Sequence, residues 1–421
     1  MIKELVSRLG SSKQIRNGGL FSLYSFFNRG IAFVLLILLA EYITPEQYGE
    51  LSIFNTITIL FGYFVGMSTA GYISVSYFKN NPEDFKKDFS TICSITIICS
   101  LIIFIALSIF RNLIEIWLTI PFTFLYISIF ISFTSTILNI NLDYIRIQED
   151  VGKYGILSCS FAVLNFVLSL YLVIIINLNW QGRVYAQLVC DIIYAGIAIY
   201  MFTKSKLIVF TLKWDRYRRI LLWGLPIIPH LASSWIKQGL DRFIIEKTHT
   251  MADVGLFSFA LNLSSIILIV GTAFNQVNSI DLYKILSSEL CNNDKICVLK
   301  KKERLFLLLY FIVSSIILVG GLIFIPLALP TYIKSLPYFI ILVFFALFQC
   351  IYLIYCNYLF YFNKTNKLMY ITLSSSMLHL ILSLLLTKYS LYYTSVIYVV
   401  SQFILCIFVY KQSRKLINQL I

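Results

Sequence analysis

Charge is what this 421-residue chain has least of: 13% of its residues are Asp, Glu, Lys or Arg, against 59% apolar. Soluble domains average about 25% charged residues, so a string of water-soluble domains is excluded and the chain reads as a polytopic membrane protein. Acids are scarcer than bases, 20 against 34, for a net charge of +14. That excess does not mark a nucleic-acid partner, because the basic residues occupy short gaps between apolar runs. Long loops are lacking too, and with them room for a separate catalytic domain. No GxxxxGK[ST], HExxH or GxSxG occurs, so no ATP site, zincin site or nucleophile elbow is written here. No catalytic residue, cofactor or metal is expected. The nine cysteines include no CxxC and lie mostly within apolar runs, which suits small packing residues better than metal ligands or disulfides.

What is present is a series of apolar runs long enough to span a bilayer. There are twelve, at about 18–40, 51–76, 91–110, 118–142, 156–176, 183–203, 220–245, 255–280, 305–328, 337–361, 369–387 and 392–410. The first contains Arg29 and lacks a cleavage site, so it reads as a retained span and not a signal peptide. Ahead of it, Ile2, Leu5, Val6 and Leu9 recur at helical spacing among basic residues, which suits a short surface helix over 1–16 or an ordered-by-nothing tail. Placing the loops alternately puts 26 of the 34 basic side chains on one side, five (Arg111, Arg183, Lys247, Lys334 and Lys388) on the other and three (Arg29, Lys237 and Arg242) inside spans. By the positive-inside rule both termini are cytoplasmic. KKKER at 300–304 reads as an inner-face anchor, able to touch anionic headgroups. YGELSIFN at 48–55 and VGLFSFALN at 254–262 follow the first and seventh spans with the same Gly-x-x-Ser pattern. Six spans per half restore orientation, so the repeat is parallel, about an axis along the membrane normal. The expected division is a six-helix bundle over 1–203, a cytoplasmic loop over 204–219 and a second six-helix bundle over 220–421.

Ionisable residues inside spans are the candidates for function, since each costs about 2.5–3.5 kcal/mol at the centre of a span on insertion scales. On the seventh span His230, Ser234, Lys237 and Asp241 fall within about 60° of one another on a helix. Lys237 and Asp241, four residues apart, are able to pair, while Arg242 points elsewhere. Upstream, Gly224, Pro226 and Pro229 interrupt the helix and form the candidate hinge. In the first span Arg29 shares a face with Ser22 and Ser25, and Asn28 stands beside it. Arg29 admits two readings: an ion pair with Asp241 or Asp191, or one wall of a cationic cavity shared with Lys237 and Arg242. An excess of cations suits an anion, and guanidinium forks suit phosphate. Asn28 and Asn262 are the candidate polar contacts to substrate, and Asn262, Asn275, Gln276 and Asn278 make the eighth span unusually polar. Asp241 and Asp191 are the candidate ion-coupling acids, although a buried hydrogen-bonded carboxyl serves equally for Asp191. His379 stands alone in the eleventh span.

GLPIIPHLASSWIKQGLDRFII at 224–245, followed by VGLFSFA at 254–260, resembles the span-seven-to-eight signature of Wzx-type polysaccharide flippases. Phe257 stands where that family often has Tyr. ITPEQYGELS at 43–52 resembles the family's segment after the first span. The resemblance implies an all-α fold of twelve transmembrane helices, the multidrug/oligosaccharidyl-lipid/polysaccharide exporter (MATE-like) fold of two six-helix bundles in a V. It implies a bacterial inner-membrane protein that moves undecaprenyl-pyrophosphate-linked oligosaccharide, such as O-antigen units of lipopolysaccharide, by alternating access. Membrane lipids, a polysaccharide polymerase and a chain-length regulator are the implied partners. Two rivals stand beside this reading: a membrane polysaccharide polymerase or lipid-linked glycosyltransferase, and a small-molecule exporter on the same fold. Short external loops weigh against the first, and the excess of intramembrane cations against the second.

Overall fold

Backbone amides in hydrocarbon have no water to bond, so a long apolar run is stable there only as a helix that satisfies itself. The computed structural model describes residues 13–209, 213–288 and 291–418, and side chains within them except at 13–16, 117, 230 and 292. Among the described residues the chain forms sixteen α-helices and no strand. The first half holds α1 (Lys13–Tyr42), α2 (Pro45–Gly66), α3 (Tyr72–Lys79), α4 (Pro82–Ile109), α5 (Arg111–Trp117), α6 (Phe122–Ile147), α7 (Val151–Leu170) and α8 (Asn179–Lys204). Then follow α9 (Trp214–Gly224), α10 (Ile228–Gln238), α11 (Leu240–Thr248), α12 (Met251–Leu286), α13 (Asn292–Ala328), α14 (Leu336–Tyr361), α15 (Thr365–Leu386) and α16 (Leu391–Asn418). The expected surface helix over 1–16 lies outside the described residues as far as residue 12, and from Lys13 the chain is already in α1. The side chain of His230 lies outside them as well.

Eleven of the twelve apolar runs contain a helix long and apolar enough to cross a membrane, although the second, over 51–76, leaves its helix at Gly66 for a 3-10 turn over Thr69–Gly71 and the start of α3. The seventh contains none among the described residues. It is built from α9, a 3-10 turn over Leu225–Ile227, α10 and α11. The first interruption falls at Gly224, Pro226 and Pro229, where two prolines withhold amide donors. Gly224 is also needed for a close approach, since a Cβ there would lie 2.2 Å from the Met67 carbonyl oxygen. A second interruption, at Gly239, was not expected. It falls between Lys237 and Asp241, so the continuous helix that would set them four residues apart on one face does not exist.

The chain falls into two compact units: residues up to Leu35 with Ile53–Ala232, and Leu36–Ser52 with Ser233–Ile421. The division at 203 and 220 follows the repeat, whereas these units follow packing, and the two differ over 36–52 and 220–232. The segment expected as a loop over 204–219 enters helix α9 at Trp214, and it is tied to the first unit. The Ser90 hydroxyl donates to the Leu207 carbonyl at 2.9 Å and accepts from the Val209 amide at 2.7 Å. Deeper, Asp88 of α4 is wholly buried and accepts from Arg216 at 2.8 Å, Arg219 at 2.9 Å, Ser76 at 2.8 Å and Asn80 at 2.8 Å. The second unit has a matching buried acid on its own third span. Glu303 of α13 bonds Arg414 near the end of α16 and accepts from the Tyr358 hydroxyl at 2.7 Å. Of the KKKER run, Lys302 pairs with Asp281 and Glu303 turns inward, so only part of it serves as an anchor.

A buried carboxylate with several donors is costly to remove, because its partners are left charged and dry. Asp88→Ala is expected to lower the stability of the detergent-solubilised protein by about 3–5 kcal/mol. Arg219→Ala, whose side chain is 52% exposed, should cost under about 1 kcal/mol. Chemical denaturation followed by Trp fluorescence compares the two, and equal losses would contradict the central place given to Asp88.

Candidate functional site

Within the first unit, α1, α6, α7 and α8 line an open cavity of about 390 Å³. Asn28 and Arg29 reach it from α1, Asn139 from α6, Asn165 from α7, and Arg183 and Asp191 from α8. The close packing of α7 on α1 has a local cause: a Cβ at Gly155 would fall 2.5 Å from the ring of Tyr24. Arg183 donates to the Asn165 side-chain oxygen at 2.7 Å. Arg29 is exposed and makes no hydrogen bond or ion pair with the described residues. Asp191 is wholly buried. Ser135 and Gln187 stand close to it, but neither carboxyl oxygen has a hydrogen bond of normal geometry. Asn28 Oδ1 and Ser158 Oγ are likewise buried without a partner. Two guanidinium groups, several amides and unused acceptors thus share one polar space. Such an arrangement can take an anionic group through forked donors and hydroxyl groups through the amides.

In the second unit the charges of the seventh span are used up internally. Lys237 is 7% exposed and donates to Gln402 Oε1 at 2.8 Å and Ser375 Oγ at 3.4 Å. Asp241 accepts from the Ser383 hydroxyl and lies 2.7 Å from His379 Nε2. The expected Lys237–Asp241 pair is therefore absent: the break at Gly239 turns the two residues to different partners. His379, read as solitary, is wholly buried between Asp241 and Ser401 Oγ, the latter at 3.0 Å from Nδ1. Arg242 donates through Nε to Ser52 Oγ at 2.5 Å and Ser258 Oγ at 3.1 Å, and through Nη1 to the Gln238 carbonyl. Asn262 donates to the Tyr48 hydroxyl at 2.9 Å. Asn275 accepts from Asn357 at 2.8 Å, so this part of the polar eighth span joins helices together.

Of the candidates read from the sequence, Asn28, Arg29 and Asp191 come together in the first unit, while Lys237, Asp241, Arg242 and Asn262 lie in the second. Arg183 and His379 were missed. Arg183 had been assigned to an external loop, yet Arg183, Gln187 and Asp191 are spaced four apart and form one stripe on α8. Ser375, His379 and Ser383 form the same pattern on α15. Either stripe is visible in the sequence.

The fold and the polar cavity are those of a polytopic helical membrane protein. The chain belongs to the family described as polysaccharide biosynthesis protein, whose model matches residues 15–278. It is 26% identical over 254 residues to the Lsg locus putative protein 1 of Haemophilus influenzae, a match spanning 58% of this chain and 60% of that relative's length. Among solved structures it resembles an inward-facing multidrug-resistance MATE family transporter of the MOP superfamily, with a TM-score of 0.71 at 14% identity over 95% of both chains. It also resembles the lipid II flippase MurJ in an inward closed conformation, with a TM-score of 0.70 at 16% identity over 95% of this chain and 89% of that one. These likenesses establish the all-α exporter fold.

The Asp241–His379 bond is testable by itself. Asp241→Asn and His379→Gln should each destabilise the purified protein, and the double variant should lose less than the two losses together, with a coupling of about 0.5–3 kcal/mol. Strict additivity in thermal denaturation would contradict the pairing.

Proposed function

We propose that this protein is a flippase for undecaprenyl-pyrophosphate-linked oligosaccharide, working by alternating access in the bacterial inner membrane with both termini in the cytoplasm. Membership of the polysaccharide biosynthesis family and the exporter fold support transport of a polysaccharide precursor. The observation that carries the reading further is the pair Arg29 and Arg183 lining one polar cavity. The diphosphate would take the guanidinium donors, the sugars would meet Asn28, Asn139 and Asn165, and the polyprenyl tail would stay in lipid. Lys237 and Arg242, first read as further walls of the chamber, have neutral partners and act in this proposal by holding the second unit. Movement between states would use the break at Gly224, Pro226 and Pro229. Asp191, with Ser135 and Gln187 close to it, and Asp241, paired with His379, are the acids through which an ion gradient would bias the cycle. A polymerase and a chain-length regulator would act on the product.

In a strain deleted for this gene, the wild type should restore surface polysaccharide. Arg29→Ala with Arg183→Ala should not, although the protein reaches the membrane at normal levels, and lipid-linked oligosaccharide should accumulate unflipped. Full complementation by that double variant would refute the cavity as the headgroup site. Loss of chain length alone in the deletion strain would favour a polymerase instead.

A further inference from the structure

One wall of the cavity in the first unit differs in kind from the others. Along α7, Tyr154, Ser158, Phe161 and Asn165 all line it. Their spacing of four, three and four keeps them on one stripe of a helix. The stripe alternates aromatic and polar, whereas α1 and α8 bring the guanidinium groups of Arg29 and Arg183. Both rings are partly buried, and each is braced by a ring that does not line the cavity. Phe21 of α1 meets Tyr154 edge to face, with 5.0 Å between centroids, and Tyr194 of α8 meets Phe161 in the same way at 5.3 Å. Tyr194 is fixed in turn, its hydroxyl donating to Ser160 Oγ at 2.7 Å. Rings held in this way lose little freedom when a ligand settles on them.

A second observation stands between the two rings. Ser158 is 4% exposed, yet its Oγ makes no hydrogen bond with the described residues. A hydroxyl buried without a partner is costly, and a ligand hydroxyl in the cavity supplies that partner. A pyranose ring has the matching surface, with C–H groups on its faces and hydroxyls around its rim. The face of an aromatic ring is the negative part of its quadrupole and draws C–H groups, while hydroxyls both donate and accept. A diphosphate lacks the apolar face for such a wall, and a polyprenyl chain lacks the hydroxyl for Ser158. The helix also sets an order. Asn165, which takes the bond from Arg183 at 2.7 Å, stands about one turn from Phe161 and about three turns from Tyr154. Phe161 and Tyr154 are themselves about 10 Å apart along the axis, the length of two linked sugar rings.

We propose that α7 is the sugar-recognising wall of the cavity: Phe161 stacks on the sugar next to the diphosphate, Tyr154 stacks on the sugar after it, and Ser158 bonds a hydroxyl between them. The inference rests on the transport reading and gives that reading a means of choosing among oligosaccharides. Equilibrium binding to the purified full chain tests it with three probes. These are a short isoprenyl diphosphate, the same molecule bearing the first sugar of the host's own surface polysaccharide, and the same molecule bearing the first two. Leucine keeps the apolar bulk at each position and removes the ring. Phe161→Leu should weaken both sugar-bearing probes at least about fivefold, the loss of one aromatic contact, and leave the bare probe unchanged. Tyr154→Leu should weaken the two-sugar probe alone, and Tyr154→Phe, which keeps the ring, should bind all three as the wild type does. Thermal denaturation reports whether each variant is folded. A two-sugar probe that binds the double Leu variant as tightly as the wild type, or that does not bind the wild type, would overturn the wall. Equal weakening of the bare and sugar-bearing probes would overturn it too. If Arg29→Ala with Arg183→Ala leaves the bare probe bound while the Leu variants still lose the sugar-bearing ones, the wall stands and the headgroup reading falls.

Discussion

The cost of holding a charge away from water governs this molecule. An ionised side chain in the interior of a membrane protein must be met by protein dipoles, by an opposite charge or by a wet cavity. The second unit uses the first two solutions almost completely: Asp241 has His379 and Ser383, Arg242 has two serines and a carbonyl, and Lys237 has Gln402 and Ser375. The first unit does not. There Arg29 is unpaired among the described residues, Asp191 has only Ser135 and Gln187 close to it, and Asn28 Oδ1 and Ser158 Oγ make no hydrogen bond with described residues. Unused polar groups around a cavity are a standing cost, and a ligand that supplies their partners repays it.

This contrast separates stiff parts from working parts. Asp88 in the first unit and Glu303 in the second bind arginines that follow the sixth span of each half. Both acids lie on the third span of their half, so the repeat extends from the Gly-x-x-Ser heads to these buried pairs. They hold each half together at the side of the basic loops. The heads of α2 and α12 meet within the second unit through the backbone at Gly49 and Gly255.

Much of this was legible in the residues. Eleven of twelve apolar runs hold a helix long enough to cross, because in hydrocarbon the backbone of such a run must satisfy its own hydrogen bonds. The Gly-x-x-Ser repeat, noted for its spacing, became a physical contact between Gly49 and Gly255. Arg29, Asn28 and Asp191 were picked from charge and polarity, and they share one cavity. What could not be read was pairing. The choice of His379 over Lys237 as partner to Asp241 depends on how α15 packs on α11, and on a break at Gly239 that a single glycine in a helical pattern does not announce. Arg183 was assigned to a loop because it opens its apolar run, where hydropathy alone cannot tell a helix end from a connection.

The central claim is that the cavity of the first unit takes a diphosphate on Arg29 and Arg183. Equilibrium binding of a short isoprenyl diphosphate to the purified protein, wild type against Arg29→Ala with Arg183→Ala, tests it most directly. The account predicts saturable binding that weakens by at least about tenfold in the double variant, as expected when charged hydrogen-bond donors are lost. Equal affinity of the two proteins would contradict it.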